Sequence, residues 1–543
     1  MKATVKFRTS ILFFIFFCTY IILFIHFFNI QILCHTFYQK HAEQQYTTHI
    51  TQFSPRALIY DRNGNPLATN NEVISAFIMP KNISPHDPFI HFLHTHYPIA
   101  YQKYLAHRHN TFLYLERNIP EHRLKHTLST HYWPQIKWLK EPKRFYPYPF
   151  LAHIVGVTDI DDNGISGIEQ LFDTTLRGNP TLYTLKKEAR SHYFYFEKHM
   201  QQEGNPGTPV TLTIDSVLQN LIQKELVDAI QHHQAHEGGV LIMNPDNGDI
   251  LVMAQYPTFN SYKITRDDIA LLNSSALTNA FEPGSVVKIF LALAALEEGI
   301  TTPDELIDCE NKKEALINGI RVTTVIPHGI INFSEIIQGS NNIGTVKVAQ
   351  RLGELLYDHY QRVGFGKKTN ISLNGERSGF INPPYRWSKY SLNSLSFGYE
   401  ITITLIQLAQ AFSVLVHNGC LVKPRILIDT PLSISQQLYR PEIIYALRKI
   451  LKDTVASGTA YRAALPGYTI LGKTGTANLV INGTYDSSYN RFIFVGSVER
   501  DAYKRIIVAF LSHTHAKNLY ASQTVAPLFR KIAERLVIHE QVI

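Results

Sequence analysis

Hydrophobic positions follow three regimes along this chain. The first shows no alternation: the 23 residues from Ile11 to Leu33 (ILFFIFFCTYIILFIHFFNIQIL) contain no Asp, Glu, Lys or Arg. As a helix rising about 1.5 Å per residue the run reaches roughly 35 Å, enough for a hydrocarbon core of about 30 Å. It predicts a membrane anchor. Lys2, Lys6 and Arg8 precede it and Lys40 is the next charge beyond it. The positive-inside rule therefore puts residues 1–10 in the cytoplasm and the rest of the chain on the exported side, periplasmic or extracellular. A cleaved signal peptide is the competing reading, but Ile32-Leu33-Cys34 offers no small residue for cleavage, of the ordinary or the lipoprotein type.

The second regime, residues 34–206, is polar and rich in His and Tyr. Turn sequences such as Asp61-Arg62-Asn63-Gly64-Asn65 and Asp161-Asp162-Asn163-Gly164 cut it into short strands and helices with no repeat. The third regime, 207–543, is more regular. Val210–Ile214 reads as a strand and Val217–Ile230 as a helix. Gly239–Met243 and Ile250–Ala254 flank the turn Asn244–Gly248 as a hairpin. Helical spacing begins near Glu282 and runs through Leu296, with Gly299 as its stop, and returns across 333–363 and 403–417. Tyr468–Leu471, Arg491–Val498 and Arg505–Ser512 read as three closing strands, before a helix from about Gln523 to Ile538. Strands first, helices in the middle and strands last predict a mixed α/β domain, a sheet of non-local strands covered by helices.

Composition narrows the picture. A chain of 543 residues exceeds one ordinary core, so two or three domains are expected. With 45% apolar and 18% charged residues it is a folded protein. The net charge of +8 comes without a Lys/Arg block, which argues against nucleic acid and favours an anionic membrane or wall polymer. Cys18, Cys34, Cys309 and Cys420 fit no zinc or redox spacing. Cys309 and Cys420 could pair in an oxidising compartment, but two isolated thiols are the simpler reading.

Three short motifs occur in order: Ser285-Val286-Val287-Lys288, Ser340-Asn341-Asn342 and Lys473-Thr474-Gly475-Thr476. Each alone is weak; together they form a serine acyl-transferase set. A serine opening a helix has Lys288 one turn later on the same face, and a desolvated lysine can take its proton. The N–H groups of Ser285 and Thr476 can form an oxyanion hole, with Lys473-Thr474-Gly475 on a strand edge. Gly475 admits substrate backbone, and the Lys473 charge can attract a carboxylate. Ser340 and Asn342, expected on a loop between helices, offer a proton relay and an amide for substrate.

With these residues the chain resembles the class B penicillin-binding proteins, and among them the septal, cell-division type. Ala280–Ser285 is similar to that family's active-site lead-in. Ser340–Gly344, Arg351–Gly353, Tyr357 and Val363–Gly366 are similar to its second-motif region, and Gly458-Thr459 with Gly472–Ala477 to its third. Asp61–Gly64, Arg144–Pro147 and Gly167–Glu169 resemble its N-terminal pedestal. The resemblance implies an antiparallel sheet covered by helices, of the penicillin-binding and serine β-lactamase type, at 207–543. It implies an anchor at 11–33 and an elongated α+β pedestal or dimerisation-type domain at 34–206. It also implies a D,D-transpeptidase that cross-links stem peptides through a Ser285 acyl-enzyme and is inhibited by β-lactams, with no metal or organic cofactor. Implied partners are lipid-linked or nascent peptidoglycan, the cytoplasmic membrane, and cell-division membrane proteins including a polymerising glycosyltransferase. The chain departs from the family at Ala57 (usually Gly), at Tyr399-Glu400 (usually Gln-Gly) and at Leu405 (usually Pro). A non-catalytic division scaffold and a D,D-carboxypeptidase or β-lactam sensor are the alternative functions.

Two other signals carry less. Gly467–Thr474 satisfies a P-loop pattern, but Tyr468–Leu471 within it is strand-like and turn residues follow Ala477 instead of a helix. His232 and His236 have ligand spacing without an accompanying carboxylate arrangement, which favours a solvated face.

Overall fold

The computed structural model describes residues 2–52, 54–110, 112–119, 133–187, 195–262, 264–481, 483–515 and 519–542. The chain divides into two compact units, one of residues 1–56 with 177–208 and one of 57–176 with 209–543.

In the first unit the helix Lys2–Phe28 continues through a π-turn at Asn29–Leu33, and the helix His35–Tyr46 follows. The apolar stretch Val5–Leu33 is long enough to cross a membrane, and Phe13, Phe14 and Ile22 stand fully out from it. Three antiparallel strands complete the unit, Thr47–Gln52 and Tyr195–Gln202 flanking Thr181–Lys187.

The second unit is built on a five-stranded antiparallel sheet in the order 250–256, 237–243, 503–515, 484–500, 469–481. Its first hairpin comes from the start of the domain and its other three strands from the end, as the element order predicts. Both faces are covered. Val240 and Ile242 point to one core, shared with Ile222 and Leu226 of the helix Ser216–His233 and with Phe529 and Ile532 of the helix Val525–His539. Leu241 and Met243 point to the other, shared with the helices Lys288–Glu297 and Leu405–Val416. Burial on both faces explains why 239–243 reads as a continuous apolar run instead of an alternating one. Asp215 caps the first helix, its carboxylate accepting from Val217 N and Leu218 N.

Several expectations change in detail. Only Val210–Thr211 of the expected 210–214 strand lies in a ladder, with Leu212 reduced to an isolated bridge to Leu427. The three closing strands are longer than expected, Thr469–Ile481, Thr484–Arg500 and Tyr503–His515. Polar stretches within the extensions, Lys473–Thr476, Asp486–Ser488 and His513–His515, hid them from a hydrophobic reading. Asn342 is the first residue of the helix Asn342–Leu352, so only Ser340 of the pair lies on the loop after Phe333–Gln338. Cys309 and Cys420 are both free thiols.

Within the same unit, the strands Pro66–Ile78, Leu113–Ile119 and Lys137–Phe145 form a smaller sheet. Beside it Arg144 Nε donates to Glu169 Oε1 at 2.6 Å, with both side chains almost wholly buried. The Asp61 turn is tied down: Oδ1 accepts from the backbone N–H groups of Asn63 and Asn65, and Oδ2 accepts from Ser216 Oγ at 2.6 Å.

Candidate active site

Pro283 and Gly284 set the entry to the site. Gly284 has φ +56°, and Gly284–Val287 form a 3-10 turn that runs directly into the helix Lys288–Glu297. Ile289 through Leu296 are all buried, so the helix is anchored by its whole circumference. That rigid seat leaves Ser285 half-buried at its mouth, and puts Lys288 one turn on, with no exposed surface.

The strand Thr469–Ile481 lies at the sheet edge, directly against this turn. A Cβ on Gly475 would stand 2.7 Å from both Pro283 O and Val286 Cγ2, closer than side-chain atoms approach. One on Gly284 would stand 2.9 Å from Thr476 O. The two glycines therefore let the backbone of the third motif meet the backbone of the first, the approach an oxyanion hole needs.

The second motif arrives from the other side. The Lys288 Nζ lies 2.7 Å from Ser340 O, 3.2 Å from Ser340 Oγ and 2.6 Å from Asn342 Oδ1. Asn342 is oriented by its own Nδ2, which donates to Thr323 O at 2.8 Å and so leaves Oδ1 facing the lysine. Asn341 caps the following helix through Oδ1 and Gly344 N. Ser340 holds φ +56°, a conformation that costs a non-glycine residue about 1 kcal/mol and that clusters at functional sites. The third motif is linked to the same loop. Thr474 Oγ1 donates to Thr459 Oγ1 at 3.3 Å, and Thr459 Oγ1 to Gln338 O at 3.2 Å. Ala521 N donates to Thr476 Oγ1 at 3.3 Å.

Burial first, and the neighbouring Lys473 charge second, hold the Lys288 amine well below the ordinary lysine range. A neutral amine has two N–H donors and one lone pair. Ser340 O and Asn342 Oδ1 can only accept, so they take the two N–H groups and leave the lone pair free to accept a hydroxyl proton. The arrangement can thus act as a base one turn from Ser285, with the Ser340 hydroxyl as relay.

Lys473 differs from expectation. It is not on the cleft surface: its side chain has no exposure, burial brings its amine down to about 7, and Nζ donates to Thr474 O at 3.2 Å. At neutral pH it divides between charged and neutral forms. All three motifs come together, and the surrounding groups that pattern reading missed are Thr323, Gln338 and Tyr485, whose hydroxyl donates to Glu282. Their contacts are backbone-mediated or cross long stretches of sequence, and leave no local signal.

A family model described as the penicillin-binding protein transpeptidase domain matches residues 238–534, and one described as the penicillin-binding protein dimerisation domain matches 51–212. The chain is 30% identical over 484 residues to a probable peptidoglycan D,D-transpeptidase, PbpC, of Pseudomonas aeruginosa, covering 88% of this chain and 85% of that one. It is 28% identical over 493 residues to the peptidoglycan D,D-transpeptidase FtsI of Escherichia coli, covering 88% and 82%. Among solved structures it is similar to penicillin binding protein 3 of Mycobacterium tuberculosis in complex with aztreonam, with a TM-score of 0.68 and 24% identity over 91% of this chain and 98% of that one.

Proposed function

This chain belongs to the penicillin-binding transpeptidase family, and from that premise we propose that Ser285 is the acyl-accepting nucleophile of a septal peptidoglycan D,D-transpeptidase. The observation that carries the assignment is the fully buried Lys288 amine, held by Ser340 and Asn342 one turn beyond a half-buried serine. Lys288 takes the Ser285 proton as Oγ attacks the carbonyl carbon of the penultimate D-Ala of a stem peptide. The N–H groups of Ser285 and Thr476 receive the developing oxyanion. The peptide C–N bond breaks, and the proton passes from Lys288 through Ser340 to the departing D-Ala amine. An amine of a neighbouring strand then attacks the ester, the C–O bond breaks, and Ser285 regains a proton. Asn342 and the Thr474–Gly475 backbone hold the donor peptide, and the charged form of Lys473 draws its terminal carboxylate. A β-lactam enters the same path and stays on Ser285.

The bulk of the chain acts outside the cytoplasmic membrane, which the basic residues Lys2, Lys6 and Arg8 ahead of the apolar span support. Residues 34–206 serve as the pedestal and 207–543 as the transpeptidase domain. Division membrane proteins, a polymerising glycosyltransferase among them, are the proposed partners on the strength of the family resemblance.

Protein lacking the anchor, incubated with a penicillin, tests the assignment. It gains the mass of one penicillin, mapped to Ser285, and Ser285→Ala gains none while keeping its fold. A wild-type protein that takes no adduct, or a Ser285→Ala protein that supports wall synthesis as the only copy, sinks the enzyme reading in favour of a scaffold.

A further inference from the structure

Beyond Asn478 the edge strand leaves the sheet. Residues 479–481 pair only with 484–486, past a register shift between Asn478 and Leu479, whereas the next strand over begins its pairing at Tyr489 with His515. A two-stranded ribbon is marginal by itself. Val480 and Tyr485 are more than half exposed, so little apolar burial holds this one.

What holds it is a set of polar contacts. The Tyr485 hydroxyl donates to Glu282 Oε1 at 2.9 Å, and the same oxygen accepts from Glu400 N at 3.1 Å. The Tyr399 ring meets Tyr485 edge-on at 5.0 Å and 88°, and its hydroxyl accepts from Asn478 N at 3.3 Å. Gly284 N donates to Gly398 O at 3.3 Å, closing the circuit beside Ser285. Glu400 stands at φ +57°, and its carboxylate accepts from Ser391 Oγ at 2.6 Å. Partial burial, and then its bond to Glu282, push the Tyr485 phenol upward, so it remains a protonated donor.

We propose that Tyr485 is a positioning residue for acyl transfer: its bond to Glu282 clasps the ribbon to the lead-in of Ser285 and holds the far end of the 469–481 strand in place beside the nucleophile. The proposal rests on Ser285 being the acylated residue. Its geometry ties two lengths of chain 203 residues apart, three residues upstream of the nucleophile on one side and seven beyond Asn478 on the other.

Hydrogen–deuterium exchange and penicillin acylation, measured together on Tyr485→Phe, Glu282→Ala and the double variant, test it. Exchange at the amides of 484–486 quickens by about tenfold in each single variant as the ribbon opens. Acylation slows by about threefold to thirtyfold, and the double variant is no slower than the slower single, because both remove one bond. The melting temperature of Tyr485→Phe stays at the wild-type value, since Tyr485 is more than half exposed. Unchanged exchange overturns the clasp, and faster exchange with unchanged acylation overturns the positioning role. Additive losses overturn the pairing of the two residues. A wild-type protein that takes no penicillin defeats the Ser285 assignment, while the exchange arm still decides the clasp.

Discussion

The Nζ of Lys288 sits 2.6 Å from Oδ1 of Asn342, 54 residues further along the chain. The amide cannot turn away, because its Nδ2 is committed to Thr323 O. A buried lysine is thereby given fixed acceptors for its N–H groups whether or not it carries a charge.

Replacing Lys288 by Ala removes the proposed base and the donor to Ser340 O and Asn342 Oδ1. Acylation by penicillin is expected to fall about a hundredfold to ten-thousandfold, and stability by about 1–3 kcal/mol. Stopped-flow acylation and urea denaturation measure the two. A variant acylating at the wild-type rate removes Lys288 from the chemistry.

The two lysines give the rate a signed pH dependence. Lys288, the proposed base, is held well below its ordinary range by burial and by the Lys473 charge, and the rate is expected to rise with pH as its amine loses the proton. Lys473, brought to about 7 by burial, loses the charge proposed to draw a carboxylate as pH rises through that value. The acylation rate of a carboxylate-bearing β-lactam is expected to be bell-shaped, with its alkaline limb near 7. In Lys473→Met that limb disappears and the rate at pH 7 drops about tenfold to a thousandfold, on the order of 1.4–4 kcal/mol. A flat profile in both proteins contradicts this division of labour.

Stability follows the same proton. In the unfolded chain Lys473 keeps its proton up to the ordinary lysine range, whereas the folded state releases it near 7. The unfolded state therefore binds more protons between those limits, and stability rises with pH across them. Below about 7 the folded protein carries the cost of a buried ammonium. The difference in melting temperature between wild type and Lys473→Met is expected to shift in favour of wild type from pH 7 to pH 10. A difference constant with pH places the lysine in solvent.

Gly475→Ala sets a methyl 2.7 Å from Pro283 O and Val286 Cγ2. The edge strand must retreat from the Ser285 turn, at a cost of about 1–3 kcal/mol, and the oxyanion donors part. Acylation is expected to drop at least about a hundredfold. Wild-type kinetics in this variant would disprove the close backbone approach.

Glu169→Ala leaves the Arg144 guanidinium buried without its carboxylate. Removing one partner of such a pair costs about 3–5 kcal/mol. Chemical denaturation should show the loss, while the acylation rate per folded molecule stays unchanged. A variant as stable as wild type argues that Arg144 finds another acceptor.

Much of this was legible in the sequence, and the parts that were not share a cause. The helix 216–233 and the hairpin around Asn244–Gly248 are local objects, written in spacing and turn residues, and both stand where their patterns put them. The motif serines and lysines were legible because helical spacing alone brings Ser285 to Lys288. Asn342 reads as a loop residue because the preceding Asn341, which caps the helix, is the same amino acid and either could be the cap. Lys473 reads as a surface cation because no one-dimensional pattern records that its side chain is fully buried. Glu400 looks like a simple departure from glycine until its φ of +57° shows that the backbone has kept a glycine's conformation under another side chain.

The order of strands has a consequence for how the protein comes into being. The strand 237–243 finds one neighbour at once in 250–256, but its other neighbour, 503–515, leaves the ribosome much later. Until then an apolar edge stands open, the kind that pairs with the wrong chain. Ser285 and Lys288 likewise emerge long before the strand that carries Thr476, the second proposed oxyanion donor. On the proposed mechanism a chain interrupted anywhere upstream of Thr469 is chemically silent, however intact its serine and lysine, and prone to stick to its siblings.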